Sequence, residues 1–225
     1  MSEPLNGDLT VRVVVEADAL PWTASPSRMV WRRRLHHVGA AESGQVTSIV
    51  RYEPGSTFPT HDHPNGEEIL VLQGVFSDEH GDWPAGTYLL NPEGFRHAPF
   101  SRNGCLLFVK LRQFPGRDRR HVAIDTRTIP WAKEGGREVK PLYAQEGYTD
   151  RTSLEHWPAG GPPAERRYPV GAELLVLNGA FQDEHGSYGP HTWLRFPPEF
   201  RHFPSTAAGC ELYLKEGGFP YLAKA

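Results

Sequence analysis

The sequence predicts an all-β protein made of two similar barrels in tandem, and two observations carry that prediction. The first is a repeat. From about residue 47 the chain aligns on itself without gaps at an offset of 105, and Gly74–His97 and Gly179–His202 share twelve of twenty-four residues. That period is too long for a solenoid repeat and is the size of a small domain. The second is punctuation: 23 Gly and 21 Pro in 225 residues cut the apolar runs into short β-branched stretches with no sustained helical period.

Taken in order, Val11-Arg12-Val13-Val14-Val15 reads as a first strand, and Ala19-Leu20-Pro21-Trp22 turns the chain. Its echo, residues 122–131, matches Val13 through Trp22 at an offset of 109, so the first half holds four extra residues between Trp22 and Thr47. Further strands are expected at Glu68–Gln73, Thr87–Asn91 and Leu106–Lys110, as in an antiparallel barrel or jelly roll. The segments Asp78-Glu79-His80-Gly81 and Asp183-Glu184-His185-Gly186 read as hairpin turns with Gly at a positive-φ position, which makes His80 and His185 turn residues rather than ligands. A Pro-Gly and charge-rich joint at 114–118 divides the chain into domains 1–115 and 116–225.

Chemistry concentrates in the first half. His61 and His63 are two apart, so on an extended segment both rings face one side, and the Pro64-Asn65-Gly66 interruption brings Glu67 within reach. His97 follows a Gly- and Pro-bracketed strand that should return it opposite the His-x-His pair. The second half has Arg166, Tyr168, Ala172 and His202 at these four positions, and of these only His202 is a good ligand. The first barrel is therefore expected to hold one metal and the second none. Glu67 disappears together with the histidines whereas Glu68 is kept as Glu173, which makes Glu67 the ligand and Glu68 structural. Arg166, Tyr168, His202 and His191 are either the lining of a small anion pocket or, as the favoured reading, part of a barrel interior refilled by packing.

A net charge of −3 and only short basic clusters exclude a general attraction for nucleic acid or membrane surfaces. No apolar run reaches membrane-spanning length and the first eight residues are acidic, so a cytoplasmic location is expected. Cys105 and Cys210 each precede a strand in their own half, which indicates small buried residues and no disulfide framework.

With Gly55, His61, His63, Glu67 and Gly74, then Gly86, Pro92, Gly94 and His97, the first half resembles the two spacing motifs of the cupin superfamily. It departs only at Ser101, where the second motif usually ends in Asn. The stretch from Gly66 to Gly81 is more narrowly similar to the ChrR-type cupin, the C-terminal half of ChrR anti-sigma factors. The resemblance implies two jelly-roll (RmlC-like) barrels and a divalent metal on His61, His63, Glu67 and His97. It favours zinc, while the ligand set also suits Fe(II), Mn, Ni or Co.

Two functions follow as expectations. The first is a regulatory or oxidative-stress sensor module in which a small molecule or oxidant meets the metal. A sigma factor is a doubtful partner, since no room for the helical sigma-binding domain stands before Val11. The second is a non-haem metal-dependent dioxygenase of the acetylacetone- or hydroxyacetophenone-cleaving type, with Phe58, Phe76, Trp83, Phe95, Phe100 and Phe108 as lining or, for most of them, core. The sequence places the sensor narrowly ahead, leaves enzyme status and catalytic residues open, and is compatible with a homodimer.

Overall fold

The computed structural model describes residues 3–160 and 164–223. It is nearly all strand, with three-residue 3-10 turns at Ala17–Ala19, Thr126–Thr128 and Phe219–Tyr221 as the helical elements among the described residues. None of them is long enough to cross a membrane. The chain forms two compact units, one holding 20–128 with the ends 3–7 and 221–223, the other holding 8–19 and 129–220.

In the first unit the main sheet runs Val122–Asp125, Thr87–Asn91, Glu67–Asp78, Cys105–Leu111, Gln45–Tyr52, Val30–Val38, Thr23–Ala24, every neighbour antiparallel. Val30, Val50, Ile69, Val71, Leu89, Leu107 and Val109 lie inside, where alternation along each strand puts them on one face. Glu67–Asp78 is twelve residues long and serves two layers. Its first part pairs with Thr87–Asn91 and Cys105–Leu111, its last with Gly81–Pro84 and Phe100–Ser101. The bend falls at Gly74, whose φ is +72° and where a Cβ would lie 2.2 Å from the Gly104 carbonyl oxygen, so only glycine fits. Ser101 donates its hydroxyl to the Val75 carbonyl at 2.7 Å, as Thr206 does to Ala180, so the residue that replaces the usual Asn anchors the bend.

The second unit repeats this plan in the order Val13–Glu16, Thr192–Phe196, Ala172–Gly179, Cys210–Glu216, Arg151–Trp157, Arg137–Ala144, Ala132–Glu134. The Asp-Glu-His-Gly turns differ from expectation in one respect: Gly81 does not take a left-handed φ. Its amide donates to Asp78 Oδ1 at 3.2 Å, and a Cβ there would sit 3.3 Å from the Trp83 ring, so the residue is small because an indole covers it.

The compact units do not coincide with the halves 1–115 and 116–225. Val13–Glu16 pairs with Thr192–Phe196 in the second unit, and Val122–Asp125 pairs with Thr87–Asn91 in the first. Each repeat thus gives its leading strand and the following 3-10 turn to the other. Thr126 binds the Gly86 carbonyl through both its amide (3.0 Å) and its hydroxyl (2.7 Å), and the Ala17 amide binds the equivalent carbonyl of His191 at 3.1 Å. Expressed alone, residues 1–115 would leave the Thr87–Asn91 edge bare and carry an unpaired Val13–Glu16 strand. This fragment is expected to self-associate in sedimentation, whereas 20–128 should sediment largely as monomer. Equal behaviour of the two would contradict the exchange.

Candidate metal centre

The short strand His61–Asp62 lies against Arg96–His97, with His61 opposite His97, so the second motif returns beside the first as its spacing predicts. Asn65 and Gly66 both adopt left-handed φ, 56° and 70°, and this sharp turn redirects the chain into Glu67–Asp78. A Cβ at Gly66 would lie 2.9 Å from Asn91 and Phe114 atoms, which explains why Gly171 stands at the matching position.

One ring nitrogen from each of His61, His63 and His97 falls within a 4.8 Å group. His63 Nε2 is 2.8 Å from His97 Nε2, and Glu67 Oε2 lies 3.5 Å from the former and 3.7 Å from the latter. Glu67 therefore faces two of the three rings, held by Asn91 Nδ2 at 3.0 Å. Glu68 turns to the other face and accepts the Tyr88 hydroxyl at 2.5 Å. Glu67→Gln is expected to weaken metal binding by removing the anionic donor, and Glu68→Gln to leave metal content intact; elemental analysis of both variants decides.

The outer ring atoms fix which nitrogens face inward. His97 Nδ1 donates to Asp78 Oδ2 at 3.0 Å and His61 Nδ1 to the Pro59 carbonyl at 3.0 Å, which frees both Nε2 lone pairs. Two imidazole nitrogens 2.8 Å apart repel unless a proton or cation lies between them, and a carboxylate beside them adds to the demand for positive charge. The donor set thus fits a divalent ion. Burial pushes the pKa of His63 down, against the pull of Glu67. Burial also opposes charge on His97, but the Asp78 hydrogen bond and the carboxylates of Glu67, Asp78 and Glu79 together raise its pKa. Asp78 itself is lowered despite its burial, because His97, the His80 amide and the Trp83 indole donate to it.

Asp78, Asn91, Tyr52 and Arg112 are the residues of the site that motif reading passes over. Asp78 was detectable in the repeat, since Asp183 is kept together with His202 and makes the same contact at 2.8 Å. Asn91 was detectable too: it becomes Phe196 in the half where Glu67 becomes Ala172. Asp78→Asn is expected to lower metal affinity about 10- to 100-fold, as loss of a carboxylate behind a ligating His does. Protons compete for His97 as pH falls through its raised pKa, so wild-type metal binding should weaken there and that of Asp78→Asn at lower pH. The linked stability has the opposite sense. In metal-free protein the raised pKa of His97 contributes stability that is present below its ordinary 6.5 and lost as pH rises through the folded value.

A cavity of about 160 Å³ opens onto the cluster, walled by Val50, Tyr52, Phe58, Ile69, Phe76 and Leu107. Arg112 stands on its lining with φ +61°, where the second unit has Gly217, and its guanidinium donates to the carbonyls of Gly44 and Glu42. Burial and the nearby Glu67 push the Tyr52 hydroxyl well above its usual pKa, so it stays protonated and able to donate a hydrogen bond.

In the second unit the space beside Ala172 and His202 is filled. Tyr168 stacks on Phe196 at 5.3 Å and Phe196 on Phe200 at 4.5 Å, with Ala172 and His202 buried among them. Tyr168 and His202 are thus packed, as the refilled interior requires, whereas Arg166 lines a cavity. His191 is not part of that interior: it takes the left-handed position of Gly86, and its Nδ1 lies 2.9 Å from Asp18.

The family model for the ChrR cupin-like domain matches twice, over residues 10–115 and 119–220. The chain belongs to the ChrR cupin-like family. Among solved cupin-type structures it is similar to a Nostoc punctiforme protein assigned provisionally as a dioxygenase, with 16% identity, 91% of this chain and 81% of that one covered, and a TM-score of 0.75. It is also similar to YlbA of Escherichia coli (12%, 94% and 93%, TM-score 0.70) and to a variant of Bacillus subtilis oxalate decarboxylase (11%, 95% and 78%, TM-score 0.66). At these identities the likeness concerns the fold. No curated protein sequence matches at a significant level. The ChrR cupin-like repeat is thus present twice, with a three-histidine cluster that suggests a metal ion in the first copy.

Proposed function

We propose that the first barrel is a mononuclear metal centre, with His61, His63, His97 and Glu67 as ligands, that binds and transforms a small organic substrate in the manner of non-haem dioxygenases. The observation that carries this reading is the cavity of about 160 Å³ meeting the ligand cluster. A closed structural site has no need of such a space. A divalent ion held there would supply Lewis acidity and, as Fe(II), oxygen chemistry. The chain's own contribution is to orient and exclude water. Phe58 and Phe76 give an apolar wall, the Tyr52 hydroxyl offers a hydrogen bond, Arg112 adds positive charge for an oxyanionic substrate, and Asp78 and Asn91 hold His97 and Glu67 in place.

On this reading the enzyme stands ahead of the sensor, the reverse of the order that sequence alone suggests. The second reading, an oxidant-responsive regulatory module, is supported by membership of the ChrR cupin-like family. Oxygen uptake and product formation under air, with Fe(II)-, Mn- and Zn-loaded protein and a panel of β-diketones and hydroxyaryl ketones, separate the two. Turnover that disappears in His63→Ala supports the enzyme. Stoichiometric metal with no uptake on any substrate favours the sensor.

A further inference from the structure

The second unit has its own cavity, of about 100 Å³, lined by Arg137, Trp157, Arg166, Ser205 and Thr206. Its charges sit at places that are uncharged or metal-facing in the first unit. Glu155 replaces Val50 and Arg166 replaces His61 at the offset of 105. The ladder that pairs Val139 with Glu155 and Glu138 with His156 brings Arg137 to the place Val30 takes opposite Tyr52. Two guanidinium groups converge on one carboxylate: Arg137 Nε at 2.9 Å, and Arg166 Nη2 at 3.1 and 3.0 Å from the two Glu155 oxygens. The Trp157 indole also donates to Glu155, at 2.7 Å.

This group is half built. Glu155 is fully buried and saturated, whereas Arg137 and Arg166 keep side-chain exposures of 22% and 18% toward the cavity side. Arg166 Nε is buried with no hydrogen-bond acceptor. Arg137 also gives Nη2 to the Glu134 carboxylate at 2.8 Å and Nη1 to the Glu134 carbonyl at 3.4 Å. The charges balance, Arg137 and Arg166 against Glu134 and Glu155, so what the cavity lacks is an acceptor for the buried Arg166 Nε, and an unmade hydrogen bond on a buried donor is costly.

We infer that this cavity is an anion site for a small carboxylate, whose oxygens complete the Arg137–Glu155–Arg166 group. Planar guanidinium forks select a carboxylate over a spherical ion, and a volume of about 100 Å³ suits an acid of a few carbons. The site is independent of the metal centre in the first unit.

The test uses the full-length chain carrying His63→Ala, so that a carboxylate has no metal to bind. Acetate, inorganic phosphate and chloride are titrated at matched ionic strength, with heat of binding and melting temperature as readouts. Saturable binding of acetate, absent with chloride and at least tenfold weaker with phosphate, is expected. Arg137→Gln should abolish it, Arg137→Lys should weaken it about tenfold, and Glu155→Gln should strengthen it by raising the net positive charge. Equal effects of acetate and chloride, preferential binding of phosphate, or acetate binding unchanged in both Arg137 variants, would overturn the assignment.

Discussion

His63→Ala is expected to leave the protein without bound metal, where wild type retains about one ion per chain through purification. His63 is buried, its Nε2 lies 2.8 Å from that of His97, and the Glu67 carboxylate is 3.5 Å away, so its loss removes the central member of the cluster. Metal that binds only the folded state stabilises it by roughly 2.7 kcal/mol at a hundred times its dissociation constant and about 4 kcal/mol at a thousand times. Adding metal should therefore raise the melting temperature of wild type by several degrees and that of His63→Ala not at all. Chelation should bring wild type down toward the variant. Two ions per wild-type chain, or full occupancy in the variant, would contradict both the ligand assignment and the filled space beside Ala172 and His202.

Gly74→Ala should be among the most damaging single substitutions in the first unit. A left-handed φ alone costs a non-glycine residue about 1–2 kcal/mol. Here a methyl group would also lie 2.2 Å from a backbone carbonyl that cannot move without displacing the Cys105–Leu111 strand. The sum is on the order of 4 kcal/mol, enough to unfold a marginal domain. Gly55→Ala is the control: its φ is +79° but nothing lies within 4 Å, so only the backbone cost of about 1 kcal/mol should appear. Denaturant midpoints of the two variants measure the difference, and equal losses would show that the close approach is not what fixes Gly74.

The barrels and the His61–His63–His97 cluster were legible because both depend on short-range spacing. His-x-His on an extended segment, a two-residue left-handed turn, and Gly and Pro around a returning strand leave the chain few alternatives. The repeat added a comparison inside one molecule: Ala172 in place of Glu67 separated that acid from Glu68, and the structure has the two on opposite faces. What remained hidden depends on distant pairing. The repeat marks Asp78 as kept together with His97, but its contact with that ring shows only in the fold. Arg137 and Glu155 lie on neighbouring strands joined by a loop two residues shorter than its counterpart in the first unit, so the offset changes between them, from 107 at Val30 to 105 at Val50, and a constant offset fails. The exchange of leading strands is equally silent, since similarity reveals which segments are alike and not which sheet each one joins.

That exchange sets the order of events when the chain is made. On the ribosome the first unit cannot finish its sheet until residues 122–125 have emerged, and Val13–Glu16 waits for a partner, Thr192–Phe196, some 180 residues away. Contacts of such separation raise contact order and slow folding. They also make the nascent first unit an unfinished sheet with an open edge through much of translation. A pulse of protease during synthesis should find it vulnerable until residues 122–125 appear, after which its sheet closes with a strand supplied by the second repeat.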